Sequence, residues 1–113
     1  MTDLMQFVLD CAQKNRLHDF YTCSAWLKLR RRILIQDNNE CQECKKKGIY
    51  TRATHVHHVK YVRMYPELAL SETYTDQHGN ERRNLISVCH ACHEAIHAYR
   101  QREKKAPLTD ERW

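Results

Sequence analysis

Glycine and proline are scarce, with two of each in 113 residues. That shortage excludes a collagen-like or low-complexity chain. Long apolar runs are missing as well. No stretch approaches the roughly 18 apolar residues of a membrane span, so no membrane partner is expected. The opening Met1-Thr2-Asp3-Leu4 is not a basic stretch followed by an apolar one, so no secretory leader is expected and the reading is cytoplasmic. Hydrophobic residues make up 42% and mean hydropathy is −0.82, so the core must be small. One domain of this size often needs a metal or a disulfide as a staple.

Charge is plentiful and uneven. Lys and Arg number 19 against 14 Asp and Glu. Residues 1–19 hold three acids and two bases, whereas residues 20–113 hold 17 bases and 11 acids, a net of +6. Bases cluster at Lys28 and Arg30-Arg31-Arg32, at Lys45-Lys46-Lys47, and at Arg100, Arg102 and Lys104-Lys105. A basic domain with a pI near 9.0 suits a polyanion, nucleic acid first. Ordinary solvated charge runs give the same composition, so charge alone does not decide.

Leu4, Phe7, Val8 and Cys11 recur at helical spacing, which predicts a short amphipathic helix over 3–13. It can pack on the domain or dock on a partner. Asn15 to Asp19 reads as a break. Thr22 or Ser24 can cap a second helix with Trp26, Leu29, Ile33 and Leu34 inward and Lys28, Arg31 and Arg32 outward. Asp37-Asn38-Asn39 ends it. Lys45 to Gly48 reads as a tight turn. Ile49 to Val59 is rich in β-branched residues and Tyr, which predicts a strand or strand pair. Pro66 to Leu70 reads as a turn of helix, and Tyr74 to Arg83 as a small hairpin or a disordered flap. Leu85, Ile86 and Val88 predict a short strand. From Cys92 to about Lys105 the pattern is helical, with Pro107 as its stop and 106–113 as a loose tail.

Six cysteines and eight histidines are the most specific signal. Cys41/Cys44 and Cys89/Cys92 form two C-x-x-C pairs, each able to grip one ion from a turn. Four thiolates complete a closed tetrahedral Zn²⁺ site with no open coordination position, hence structural. Two competitors remain open at this point. One is a mixed site of Cys41, Cys44, His93 and His97; the other is a redox C-x-x-C motif. Cys11 and Cys23 read as small buried hydrophobes.

If four cysteines saturate one zinc, the histidines need another role. His57 and His58 are adjacent on the expected strand, so their rings point to opposite faces. His93 and His97 stand one turn apart on one helix face, a spacing that chelates a divalent metal. His18, His55, His78 and His90 read as ordinary surface or hydrogen-bonded residues.

Val56-His57-His58, then Asn84-Leu85, then Cys89-x-x-Cys92-His93, preceded by Cys41-x-x-Cys44, resembles the HNH endonuclease pattern in its four-cysteine form. Phe20-Tyr21, Trp26, Leu29-Arg30 and the Pro66 to Leu70 segment resemble small phage HNH proteins. The resemblance implies an α+β chain with a ββα-metal (His-Me finger) core, stapled by zinc at Cys41, Cys44, Cys89 and Cys92. Its expected organisation is an N-terminal helical extension over 1–19, the nuclease domain over 20–105 and a tail over 106–113. It implies that His58 is the general base and that Asn84 braces the loop between the strands. It makes His57 and His93, with His97 in some members, the ligands of one catalytic divalent ion (Mg²⁺, Mn²⁺, Ni²⁺ or Zn²⁺). Two departures stand out: relatives often have Asp where this chain has His57, and Ser71 to Arg83 is long.

The implied activity is metal-dependent nicking of double-stranded DNA by a monomer or weak dimer. Backbone contacts are expected from Arg30, Arg31, Lys45, Lys46 and Arg100. Resemblance to phage proteins further implies a place in the host cytoplasm, in genome packaging beside a terminase large subunit. Two other readings of the same residues are a noncatalytic zinc-ribbon DNA-binding module and a protein-interaction adaptor.

Overall fold

The computed structural model describes residues 3–105, with side chains described as far as residue 99. The tail expected at 106–113, Pro107 and the side chain of Arg100 lie outside the described residues. Helices α1 (Asp3–Gln13), α2 (Leu17–Tyr21), α3 (Ser24–Gln36) and α4 (Gln42–Lys46) come first. Strand β1 (His55–His58) follows, then a 3₁₀ turn at Pro66–Leu68 and strands β2 (Thr73–Thr75), β3 (Glu81–Arg83) and β4 (Leu85–Val88). Helix α5 (His90–Lys105) comes last.

β1 and β4 pair antiparallel, with His57 opposite Ile86 and His58 opposite Leu85. Together with α5 they make the ββα core. A second pair, β2 with β3, is inserted before β4. Its turn is made by Asp76, whose carboxylate accepts the backbone N–H groups of His78 and Asn80, at 2.9 Å each. Gly79 sits in that turn at φ +81°, a conformation glycine adopts without a Cβ clash. Of the two readings left open for this stretch, it is therefore the hairpin.

Period two on β1 decides what each face meets. Val56 and Leu85 join Val8, Phe20, Trp26, Ile33 and Val62 in the main core, under α1 and α3. Each such side chain stabilises by about 1.5–3 kcal/mol when fully buried. The N-terminal helix thus packs on the domain: α1 lies against α2 and the 3₁₀ turn. A second, smaller core gathers Cys41, Val88 and Cys89 with Ile86, Cys44 and Cys92 against it.

Several boundaries differ from expectation. Asn15 does break the chain, at φ +59°, but Leu17–Tyr21 then forms a helix rather than staying irregular. Phe20 drives this, since it is fully buried and pulls its turn into the core. The strand expected over Ile49 to Val59 is only four residues long. Ile49 and Tyr50 are exposed, and residues 51–53 instead tie to 39–41, with Cys41 N–H on the Thr51 carbonyl and Ala53 N–H on that of Asn39. Helix α5 starts two residues earlier than expected, so Cys89 immediately precedes it and Cys92 lies on its first turn.

Asp37 fastens α3 to this frame. Its carboxylate accepts both Arg83 guanidinium nitrogens, at 3.0 and 2.9 Å, and the Ser87 backbone N–H at 3.2 Å. Burial pushes the carboxyl up, but Arg83 and Ser87 outweigh it and hold it below the ordinary range.

Candidate active site

The two cysteine pairs meet. All four Sγ atoms lie within 4.8 Å of one another. Cys44 Sγ is 4.0 Å from Cys89 Sγ and 3.7 Å from Cys92 Sγ. A tetrahedron with sulfurs about 2.3 Å from its centre has edges near ~3.8 Å, so the spacing fits one ion. Burial raises the Cys41 thiol, but backbone N–H groups of Cys44 and Cys89 bring it down to about 7. Burial and the neighbouring sulfurs push Cys92 up instead. Four thiolates this close repel one another and are stable together only around a cation. His93 and His97 take no part, so the mixed two-cysteine, two-histidine alternative fails. Among the described residues no other group of three or more donors is gathered this closely.

The histidines lie elsewhere, around one cavity of about 620 Å³. His57, His58, His93 and His97 all line it, together with Trp26 of α3 and Arg30. Both His57 and His58 line it, although adjacent residues on β1 point to opposite faces of the strand.

His58 is 5% exposed and lies against Trp26, with ring centroids 4.6 Å apart. Its Nε2 is 2.8 Å from the Ala69 carbonyl. A carbonyl only accepts, so Nε2 carries the hydrogen and the lone pair of the neutral ring lies on Nδ1.

Asn84 is fully buried and saturated with hydrogen bonds. Its side-chain carbonyl accepts the Lys60 N–H at 2.9 Å, and its amide donates to the carbonyls of Leu68 (2.9 Å) and Ser71 (3.0 Å). It therefore grips both sides of the carbonyl that receives His58.

His93 and His97 place their Nε2 atoms 3.2 Å apart. Two nitrogens bound to one ion at about 2.1 Å are separated by ~3.0–3.4 Å, so this pair suits a shared ion. The His57 ring stands edge-on to His93, at 6.3 Å between centroids. These three imidazoles share the cavity but are not drawn together as tightly as the sulfurs. Burial, helped by His97 and His55, lowers the His93 pKa and keeps that ring a neutral donor. Among the described residues, no carboxylate lines the cavity.

His55, read as ordinary, also belongs to this group. It lines the cavity and stacks on His93 at 4.7 Å and 15°. Its spacing of two from His57 on one strand was the available signal. The expected DNA contacts separate: Arg30 lines the cavity and donates to the Thr54 carbonyl at 2.7 Å, whereas Arg31 is exposed on α3. Lys45 and Lys46 line a different cavity with Arg82 and Arg83, and Lys46 is paired with Glu43.

A family model described as HNH endonuclease matches residues 41–99, just over half of the chain. The chain belongs to the HNH endonuclease family. A crystal structure of the HNH endonuclease of the deep-sea thermophilic bacteriophage GVE2, with manganese ion, is similar to it. The two share 28% identity with a TM-score of 0.65, over 87% of this chain and 95% of that one. No curated protein matches. As an HNH nuclease the chain acts on DNA, and among its described residues no helix is long and apolar enough to cross a membrane.

Proposed function

We propose that this chain is a divalent-metal-dependent DNA nickase with His58 as general base. The observation that carries the reading is the Nε2–H bond from His58 to Ala69, made inside the cavity that His57, His93 and His97 share. Nδ1 takes a proton from water as the water oxygen bonds to phosphorus. The P–O3′ bond breaks, its electron pair stays on the 3′ oxygen, and solvent protonates that oxygen. The products are a 5′ phosphate and a 3′ hydroxyl. Such a base contributes about 10²–10⁴-fold. His57, His93 and His97 would hold the catalytic ion, and Cys41, Cys44, Cys89 and Cys92 a structural zinc. When bound, the catalytic ion supplies positive charge at the phosphate and the leaving oxygen. Three imidazoles without a carboxylate favour Mn²⁺, Ni²⁺ or Zn²⁺ over Mg²⁺.

Asn84 acts as a positioning residue, holding the loop that aims His58. One base per chain cuts one strand, so a monomer nicks and a double-strand break needs two encounters. Arg30, Arg31, Lys45, Lys46 and Arg100 supply phosphate contacts without reading bases. Similarity to the phage GVE2 protein supports a further reading, action in the host cytoplasm beside a terminase large subunit during genome packaging. The test is a supercoiled plasmid assay: open-circle product is expected only with a divalent ion added. A zinc-ribbon module without catalytic function would bind the plasmid and leave it closed under every ion.

A further inference from the structure

The imidazoles are only part of the lining of their cavity. Much of the rest is apolar and aromatic: Trp26 and Val62 are buried in its wall, while Tyr21, Leu27 and Met64 are 40%, 46% and 65% exposed. A site that met only the backbone of an intact duplex would have no use for such a surface, because paired bases keep their faces stacked inside the helix. Tyr21 packs edge-on to Trp26, at 77° and 6.0 Å between centroids, and the same ring meets His58 at 6.1 Å. The aromatic part of the lining therefore adjoins His58. Arg30 and Arg63 line the same cavity and give it positive charge for phosphates. Hydrogen bonds hold both, Arg30 to the Thr54 carbonyl and Arg63 to the Asn15 side chain. The cavity volume is within the roughly 300–1,000 Å³ of small-ligand pockets.

Resting on the nuclease reading above, we infer that the aromatic part of the lining takes an unpaired nucleobase next to the scissile phosphate. The preferred substrate is then DNA with a bulged, mismatched or single-stranded nucleotide rather than perfect duplex. Every base has a π-face, so the preference is for structure and not for sequence. Apolar contact from Leu27 and Met64 excludes water around the base.

The test is equilibrium binding of the full-length chain, without added divalent ion, to three fluorescent oligonucleotides: a perfect duplex, the same duplex with one bulged nucleotide, and the single strand. The unpaired substrates are expected to bind at least about 5-fold tighter, the low end of base-on-aromatic stacking. Tyr21→Ala is expected to remove that preference and Tyr21→Phe to keep it. A 2-aminopurine at the bulge is expected to lose fluorescence on binding the parent and not Tyr21→Ala. Equal affinity for all three, or a preference unchanged in Tyr21→Ala, overturns the inference and leaves the cleft to a protein partner. The readout needs no cleavage. A base preference without nicking counts against the nuclease reading alone, and nicking without preference counts against this inference alone.

Discussion

Asn84 and His58 are joined through one loop: the Asn84 amide holds the carbonyls of Leu68 and Ser71, and the carbonyl between them, that of Ala69, receives the His58 ring. The backbone continues the link, since Val59, next to His58, donates its N–H to the Asn84 carbonyl at 2.8 Å. A fully buried amide with every polar atom used leaves little freedom for the loop or for the ring it aims.

Asn84→Ala strands the Lys60 N–H and two carbonyls. The expected loss is about 2–3 kcal/mol of stability, or a melting temperature lower by roughly 8 °C or more. Nicking by the remaining folded protein is expected to fall further than stability does, with KM for DNA little changed. Calorimetry and steady-state kinetics on the same sample separate the two. If kcat per folded molecule equals that of the parent, Asn84 is only structural.

The four cysteines set a second expectation. One zinc per chain is expected by mass spectrometry under native conditions, and loss of zinc in Cys44→Ser or Cys89→Ser. Strong chelation should unfold the knuckle and free the β4–α5 junction, because a clustered thiol set is stable only around a cation. Retention of the zinc in Cys89→Ser would show that the ion sits elsewhere.

Acid should weaken the Asp37–Arg83 clasp. The folded-state carboxyl is held below its ordinary pKa of about 3.9. Its stabilisation is therefore present above that value and is lost as pH falls through the lower folded-state value. Asp37→Asn is expected to cost about 1–2 kcal/mol at pH 7, less than for a wholly buried pair because Arg83 is 41% exposed. The gap between parent and variant should shrink below about pH 4. Denaturant melts at pH 7 and pH 3 check this, and a gap that widens in acid would contradict it.

His57→Asp replaces a neutral imidazole with a hard, charged oxygen donor. Activity with Mg²⁺ is expected to rise relative to activity with Ni²⁺ or Zn²⁺. The check is nicking rate across the four ions for both proteins. An unchanged order of ions would remove His57 from the ligand set.

Much of this molecule can be read from its residues, for identifiable reasons. The C-x-x-C pairs announce themselves because a turn must bring two sulfurs together, and Val56-His57-His58 with Asn84 carries its spacing into the ββα core. The hidden parts depend on tertiary contacts. Leu17–Tyr21 is too short to show periodicity and exists because Phe20 is buried. Ile49 to Ala53 has the composition of a strand but lies against residues 39–41. His55 looks ordinary until α5 brings His93 onto the same face of β1. The apolar part of the cavity lining joins residues from α2, α3 and the segment after β1, and no local pattern links them.

The most direct test is single-turnover nicking by His58→Ala, with zinc content and melting temperature checked beside the parent. A fall of about 10²–10⁴-fold in a folded, zinc-loaded protein is expected. A variant that nicks as fast as the parent would contradict the assignment of His58 as the base and the mechanism built on it.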